Sequence, residues 1–138
     1  MDIFERVREL NLPLGQYAVF GSGPLEAHGL RDAIDIDLLV SPALYEVLKS
    51  KGWKEEMVID RNQSKLTDGE VEAMMFWNYP GYKPDEILLI SEAEIINGLP
   101  FVRLKEVLAW KRVCGRVKDM ADIKLIETYL RNKNSPEK

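Results

Sequence analysis

The chain is poor in the residues that build metal cages and crosslinks, with one cysteine and one histidine among 138 residues. A lone Cys114 excludes an internal disulfide and any cysteine-built zinc site. Long apolar runs are missing too. The longest, such as 73–77 and 87–90, fall far short of the roughly 20 residues that a spanning helix needs, so no membrane association is expected. At the N-terminus no basic stretch precedes an apolar one, which reads as no secretory leader and predicts a cytoplasmic location. Repeats, low-complexity segments and linker-like stretches are absent as well. With 46% hydrophobic and 30% charged residues, the expectation is one packed domain over 1–131, followed by a frayed polar tail over 132–138.

The net charge of −4 conceals two unlike halves. Residues 1–102 hold 9 Lys and Arg against 18 Asp and Glu, whereas residues 103–138 hold 10 against 5. An acidic front and a basic end inside one small domain suit a site where metals meet a polyanion, although charge alone favours two solvated faces of opposite sign.

Local patterning predicts an α+β domain, a mixed sheet with a few helices and a helical C-terminus. A helix is expected over 2–10 with Asp2 as N-cap, and a buried strand over 16–20 ending at Gly21-Ser22-Gly23. Pro24 opens a helical turn, 34–40 reads as the clearest strand, and Ser41-Pro42 begins a helix through about Lys51. Two strands, 53–60 and 70–77, are expected around a polar turn containing Asp68-Gly69. A turn at Tyr79-Pro80-Gly81, a helical turn after Ser91 and a strand at about 95–102 follow. Residues 104–130 read as helix, bent near Gly115.

Two neighbouring features carry chemistry. Phe20-Gly21-Ser22-Gly23 lies where a strand gives way to a helix, and glycines there let backbone approach a phosphate closely. Asp35-Ile36-Asp37 lies in the next strand, where residues two apart share a face. Paired carboxylates on an apolar strand repel one another and lose hydration, a cost that a divalent cation removes. A single solvated face would tolerate them without one. The Gly21-Ser22-Gly23 turn is no dinucleotide fingerprint, because Glu26 stands where the third glycine belongs.

In combination, Gly21-Ser22, a dozen residues, and Asp35-Ile36-Asp37-Leu38-Leu39-Val40 resemble the signature of the nucleotidyltransferase superfamily, which includes DNA polymerase beta and small stand-alone enzymes. The matching residues are Phe20, Gly21, Ser22, Asp35 and Asp37. The resemblance implies a nucleotidyltransferase-like mixed sheet flanked by helices. It further implies Mg²⁺-dependent transfer of a nucleoside monophosphate from a nucleoside triphosphate such as ATP to a hydroxyl acceptor, whether small molecule, protein or RNA. Gly21 and Ser22 would hold the triphosphate, and Asp35 and Asp37 would hold two Mg²⁺ ions. A third carboxylate on a neighbouring strand would complete the metal shell or take the acceptor's proton. Glu72, deeper in its strand than the turn-side Glu70, is the expected third member, and Glu70 is expected to be solvated. A wet strand face bearing both glutamates is the plainer alternative.

On a continuous C-terminal helix, Lys111, Gly115, Lys118 and Asp122 share one stripe, and Trp110, Val113, Cys114, Val117 and Ala121 share another that reads as core. Similar helices in small nucleotidyltransferase-like proteins imply a lysine, Lys111 or Lys118, reaching the triphosphate, and Lys111 is kept as the phosphate ligand. Lys118 and Asp122 read as an i,i+4 ion pair. His28 and Cys114 read as a surface histidine and a packed thiol, and the tryptophans as core or rim. Tyr79 and Tyr82 stand out in their loop. The alternative function is a catalytically inactive binding module on the same fold, acting through a protein partner as in toxin–antitoxin-like pairs, or as a homodimer.

Overall fold

Asp2 begins the chain's first helix, α1 (Ile3–Glu9), through a reciprocal capping box with Glu5 that satisfies two orphan backbone donors. The computed structural model describes residues 1–133. Strand β1 (Tyr17–Phe20) follows, then α2 (Gly23–Ala27), β2 (Ile36–Val40) and α3 (Pro42–Ser50), whose N-cap Ser41 side chain accepts the Leu44 N–H. Next come β3 (Lys54–Val58), a 3-10 turn (Ile59–Arg61), β4 (Gln63–Asp68), β5 (Val71–Met74) and α4 (Glu86–Ser91). The chain closes through β6 (Glu94–Ile96), β7 (Leu99–Phe101), α5 (Leu104–Cys114) and α6 (Val117–Lys133).

All seven strands join one mixed sheet in the order β3-β4-β5-β2-β1-β7-β6. The β2–β5 and β1–β7 pairs are parallel and the others antiparallel. Alternation along the central strands divides the core in two. Tyr17, Val19, Ile36, Leu38 and Ala73 pack with α1 and α3, through Ile3, Val7, Leu44, Tyr45 and Leu48. Ala18, Phe20, Leu39 and Met74 face the other way, toward α4, α5 and α6 through Leu89, Val107, Trp110 and Ile126. Asp37 and Glu72 fall on this second face by the same period of two.

The α+β class is as the residue pattern predicts, but several elements differ. Strand β2 starts at Ile36, so Ile34 and Asp35 lie in a bend ahead of it, and Ile34 is 75% exposed. Between Val58 and Asp68 there is a whole extra strand, β4, because the left-handed Asn62 turns the chain back to form a β3–β4 hairpin. The Asp68-Gly69 turn therefore joins β4 to β5. Strand β5 ends at Met74, and Trp77, beyond the end of the alternation, packs on the same side as Met74. The strand expected at 95–102 is a hairpin, β6–β7, folded at Asn97-Gly98. Asn132 and Lys133 belong to α6, and 134–138 of the expected tail lie outside the described residues.

The largest difference is at the C-terminus. Gly115, left-handed at φ 57°, ends α5, and α6 restarts two residues on with a different phase. Val117, expected in the core, is 92% exposed, and Val113 and Ala121 are exposed too. Trp110 is buried as expected, but Lys111, Asp119 and Asp122 are buried beside it, at 4%, 1% and 3%.

Candidate active site

A cleft of about 330 Å³ opens where the ends of β1, β2 and β5 meet α5 and α6. Gly21, Ser22, Asp35, Asp37, Glu72 and Lys111 all line it, so every residue singled out for the site borders one cavity. Asp37 and Glu72 are direct register partners across the parallel β2–β5 pair, and Phe20 faces Asp37 across β1–β2. The Gly21 position is demanding on two counts. Its φ is 65°, and a Cβ built there would collide with Asp37 Oδ2, so only glycine lets that carboxylate lie over the turn.

Burial pushes the Asp37 carboxyl up from 3.8 to about 6, helped by the charges of Glu72 and Asp35 and opposed by Lys65 and Lys111. Asp35 is exposed at the rim. Glu72 is not without a counter-charge, because Lys65 on β4 donates to its Oε2 at 3.0 Å. Glu70, by contrast, is solvated and pairs with Arg6 at 3.1 Å, pointing to α1 instead of the cleft.

The opposite wall is a closed ionic network. Lys111 Nζ lies 3.2 Å from Asp119 Oδ1 and 3.1 Å from Asp122 Oδ2. Arg31 grips Asp122 through Nε and Nη2 at 2.6 and 2.7 Å, and its Nη2 also donates to Ser22 Oγ at 2.7 Å. Arg116 closes the far end on Asp119 at 2.7 Å. Burial pushes both aspartates up, but their bonds to Arg116, Arg31 and Lys111 outweigh it and hold both below the usual carboxylate range. Lys111 is thus committed to two carboxylates, and the Lys118–Asp122 ion pair does not form, since the restart at Val117 turns Asp122 inward toward Lys111 and Arg31.

At the third side, Trp77, Tyr79 and Trp110 form an aromatic wall. Phe20 stacks on Trp77 with centroids 4.3 Å apart, and Trp110 meets Trp77 edge-on at 5.2 Å. Arg61 lies over the Tyr79 ring at 4.4 Å. Tyr82 is buried and donates to Glu106. His28 is buried away from the cleft between Tyr129 and Glu94, and Cys114 is a half-buried free thiol whose pKa burial pushes up.

Sequence reasoning passed over Arg31, Arg61, Arg116 and Asp119. The i,i+3 spacing of Asp119 and Asp122 was a legible signal for one inward-facing acidic stripe. Nothing local marked Arg61.

Among the described residues, no three or more His, Cys, Asp or Glu side chains form a ready-made metal cluster. The donor chemistry nonetheless fits Mg²⁺. Asp37 and Glu72 supply hard oxygen ligands side by side, Asp37 is raised by burial and by the charges of Glu72 and Asp35, and Mg²⁺ ordinarily takes one or two carboxylates with water and phosphate completing its shell. In comparisons with known protein families, curated proteins and solved structures, no match to this chain was found.

Proposed function

We propose that the protein is a Mg²⁺-dependent nucleotidyltransferase that moves a nucleoside monophosphate from a nucleoside triphosphate to a hydroxyl acceptor. The observation that carries this reading is the Gly21-Ser22 turn lying directly against Asp37, whose register partner is Glu72, in one cleft. Asp37 and Glu72 would hold the metal, with Asp35 at the rim. When bound, Mg²⁺ would neutralise these carboxylates and draw in the triphosphate. Gly21 and Ser22 would bring backbone close to the phosphates. Glu72 would take the acceptor's hydroxyl proton as that oxygen bonds to the α-phosphorus and the bond to the departing pyrophosphate breaks. Lys111, fixed between two carboxylates, would add its charge to the cleft from within the wall.

The first test is thermal. Metal binds only the folded arrangement, so tenfold excess over Kd adds about 1.4 kcal/mol and should raise Tm by roughly 3–6 °C. Triphosphate with metal should raise it further, and Asp37→Asn with Glu72→Gln should abolish the response. A flat wild-type response, or an equal one in the double variant, defeats the reading. A binding module acting through a protein partner is the second reading, favoured by Lys65, which already occupies one Glu72 oxygen. Incubation with labelled triphosphates, Mg²⁺ and lysate separates the two. Label transfer to an acceptor supports the enzyme, and no transfer together with one stably co-purifying protein supports the module.

A further inference from the structure

Among the described residues, Arg61 is the half-buried cation of the cleft that no nearby carboxylate neutralises. Arg31, Lys111 and Arg116, which line the same cleft, are each held by Asp119 or Asp122, and Lys118 is exposed on α6. Arg61 has no ion-pair partner among the described residues. Its one hydrogen bond is a long contact from Nη2 to Met74 Sδ at 3.8 Å, and its buried Nε has no partner. The guanidinium carbon sits over the Tyr79 ring, against a wall that also carries two buried and unpartnered indole N–H groups, Trp77 and Trp110. A guanidinium offers donors only, in a fork that matches carboxylate or phosphate, and stacking on an aromatic face leaves that fork free. A partly desolvated cation without a counter-charge is costly, and a bound oxyanion removes the cost.

Its position separates it from the triphosphate turn. In the sheet order β4-β5-β2-β1, the carboxylate strands β5 and β2 stand between the two cationic flanks. Arg31 bonds Ser22 just beyond β1, whereas Arg61 precedes β4 and reaches Met74 at the end of β5. We propose that Arg61 and the aromatic wall form a second anion subsite, which holds the phosphate monoester or carboxylate of the acceptor. The acceptor is then a small molecule that carries both a hydroxyl and an oxyanion. The word acceptor rests on the transferase reading; the anion subsite does not.

The test uses the full chain without metal or nucleotide. Phenyl phosphate, benzoate and neutral benzamide are titrated by calorimetry and by tryptophan emission. At least one anion should bind and benzamide should not, and the tighter of the two identifies the oxyanion. Arg61→Gln should weaken that binding by about tenfold, the usual loss for a charged hydrogen bond. Arg61→Lys, which keeps the charge without the fork, should weaken it less. Should Arg61→Gln fail to fold, Arg61→Lys with a wild-type melting curve carries the test. No anion binding, or binding unchanged in a folded Arg61 variant, overturns the subsite. Saturating ATP with Mg²⁺ should leave the probe bound, and displacement would assign Arg61 to the nucleotide and also overturn the proposal. Anion binding intact in a protein with no metal or nucleotide response would defeat the transferase reading alone.

Discussion

On the helical wall of the cleft, two buried aspartates share a buried lysine and two arginines, and both are held more acidic than usual. On the strand wall, a few residues away in the same cavity, Asp37 is pushed to about 6 with only Lys65 and Lys111 in partial opposition. Both walls carry carboxylates that have lost water. They differ in compensation, and compensation separates the roles. A carboxylate satisfied within the protein fastens helices to the sheet, whereas one left short of positive charge suits the metal-holding role proposed for Asp37.

Breaking the compensated wall should have the largest effect. Lys111→Met leaves Asp119 and Asp122 buried with one cation fewer at each, and the loss should be about 3–5 kcal/mol, since removing one partner of a buried pair strands the other. Urea unfolding would read this, with a Tm fall of about 10 °C or more. Replacing Asp119 and Asp122 by Asn in the same variant should recover part of it, because no anion is then stranded. A lysine serving only a nucleotide would leave the stability of the free protein untouched.

The strand wall should respond in the opposite direction. Asp37 titrates near 6 in the folded chain and near 3.8 when unfolded, so its protonation stabilises the fold fully below 3.8 and that contribution is lost as pH rises through 6. Asp37→Asn should therefore raise stability at pH 7.5 by about 2–3 kcal/mol, the equivalent of the shift, with the gain vanishing near pH 4. Metal must displace that proton, so Mg²⁺ affinity in wild type should decline below pH 6. Melting curves across pH 4–8, with and without Mg²⁺, measure both effects. A variant less stable than wild type at neutral pH would put Asp37 among the structural carboxylates.

The contrast between walls also explains what could be read from the chain in advance. Residues on the strand wall are set by local rules. A period of two puts Asp37 and Glu72 on one face, and the Gly21-Ser22 turn ends its strand where glycine and serine predict. The helical wall depends on the phase between two helices, which one left-handed residue at Gly115 resets. A continuous wheel through 104–130 therefore put Val117 inside and left Asp119 unplaced. Strand β4 was hidden for a similar reason, since Asn62 is an αL turn residue without the usual glycine beside it. Arg61 reaches the cleft only through tertiary packing on Tyr79, which no spacing encodes.

Glycines on the two walls allow a finer test. Gly21→Ala should cost about 2 kcal/mol, combining a left-handed backbone unfavourable to alanine with a Cβ that collides with the Asp37 carboxylate. Because that carboxylate must move, the Mg²⁺ response should weaken with stability. A loss of stability with an unaltered metal response would detach Asp37 from the metal site.

Gly115→Ala should have the smallest effect, about 1 kcal/mol, because the space around Gly115 is open. The nearest atom to an added Cβ is the Arg112 carbonyl oxygen at 3.8 Å, an ordinary contact, so only the φ of 57° is unfavourable. Gly115→Asn should cost less still, since asparagine tolerates the left-handed region. Neither change touches a carboxylate, so the Asp37 titration should remain near 6 while Tm falls by a few degrees. If Gly115→Ala instead shifts that titration, the restart of α6 is what sets Lys111 against Asp37, and the two walls are one electrostatic unit.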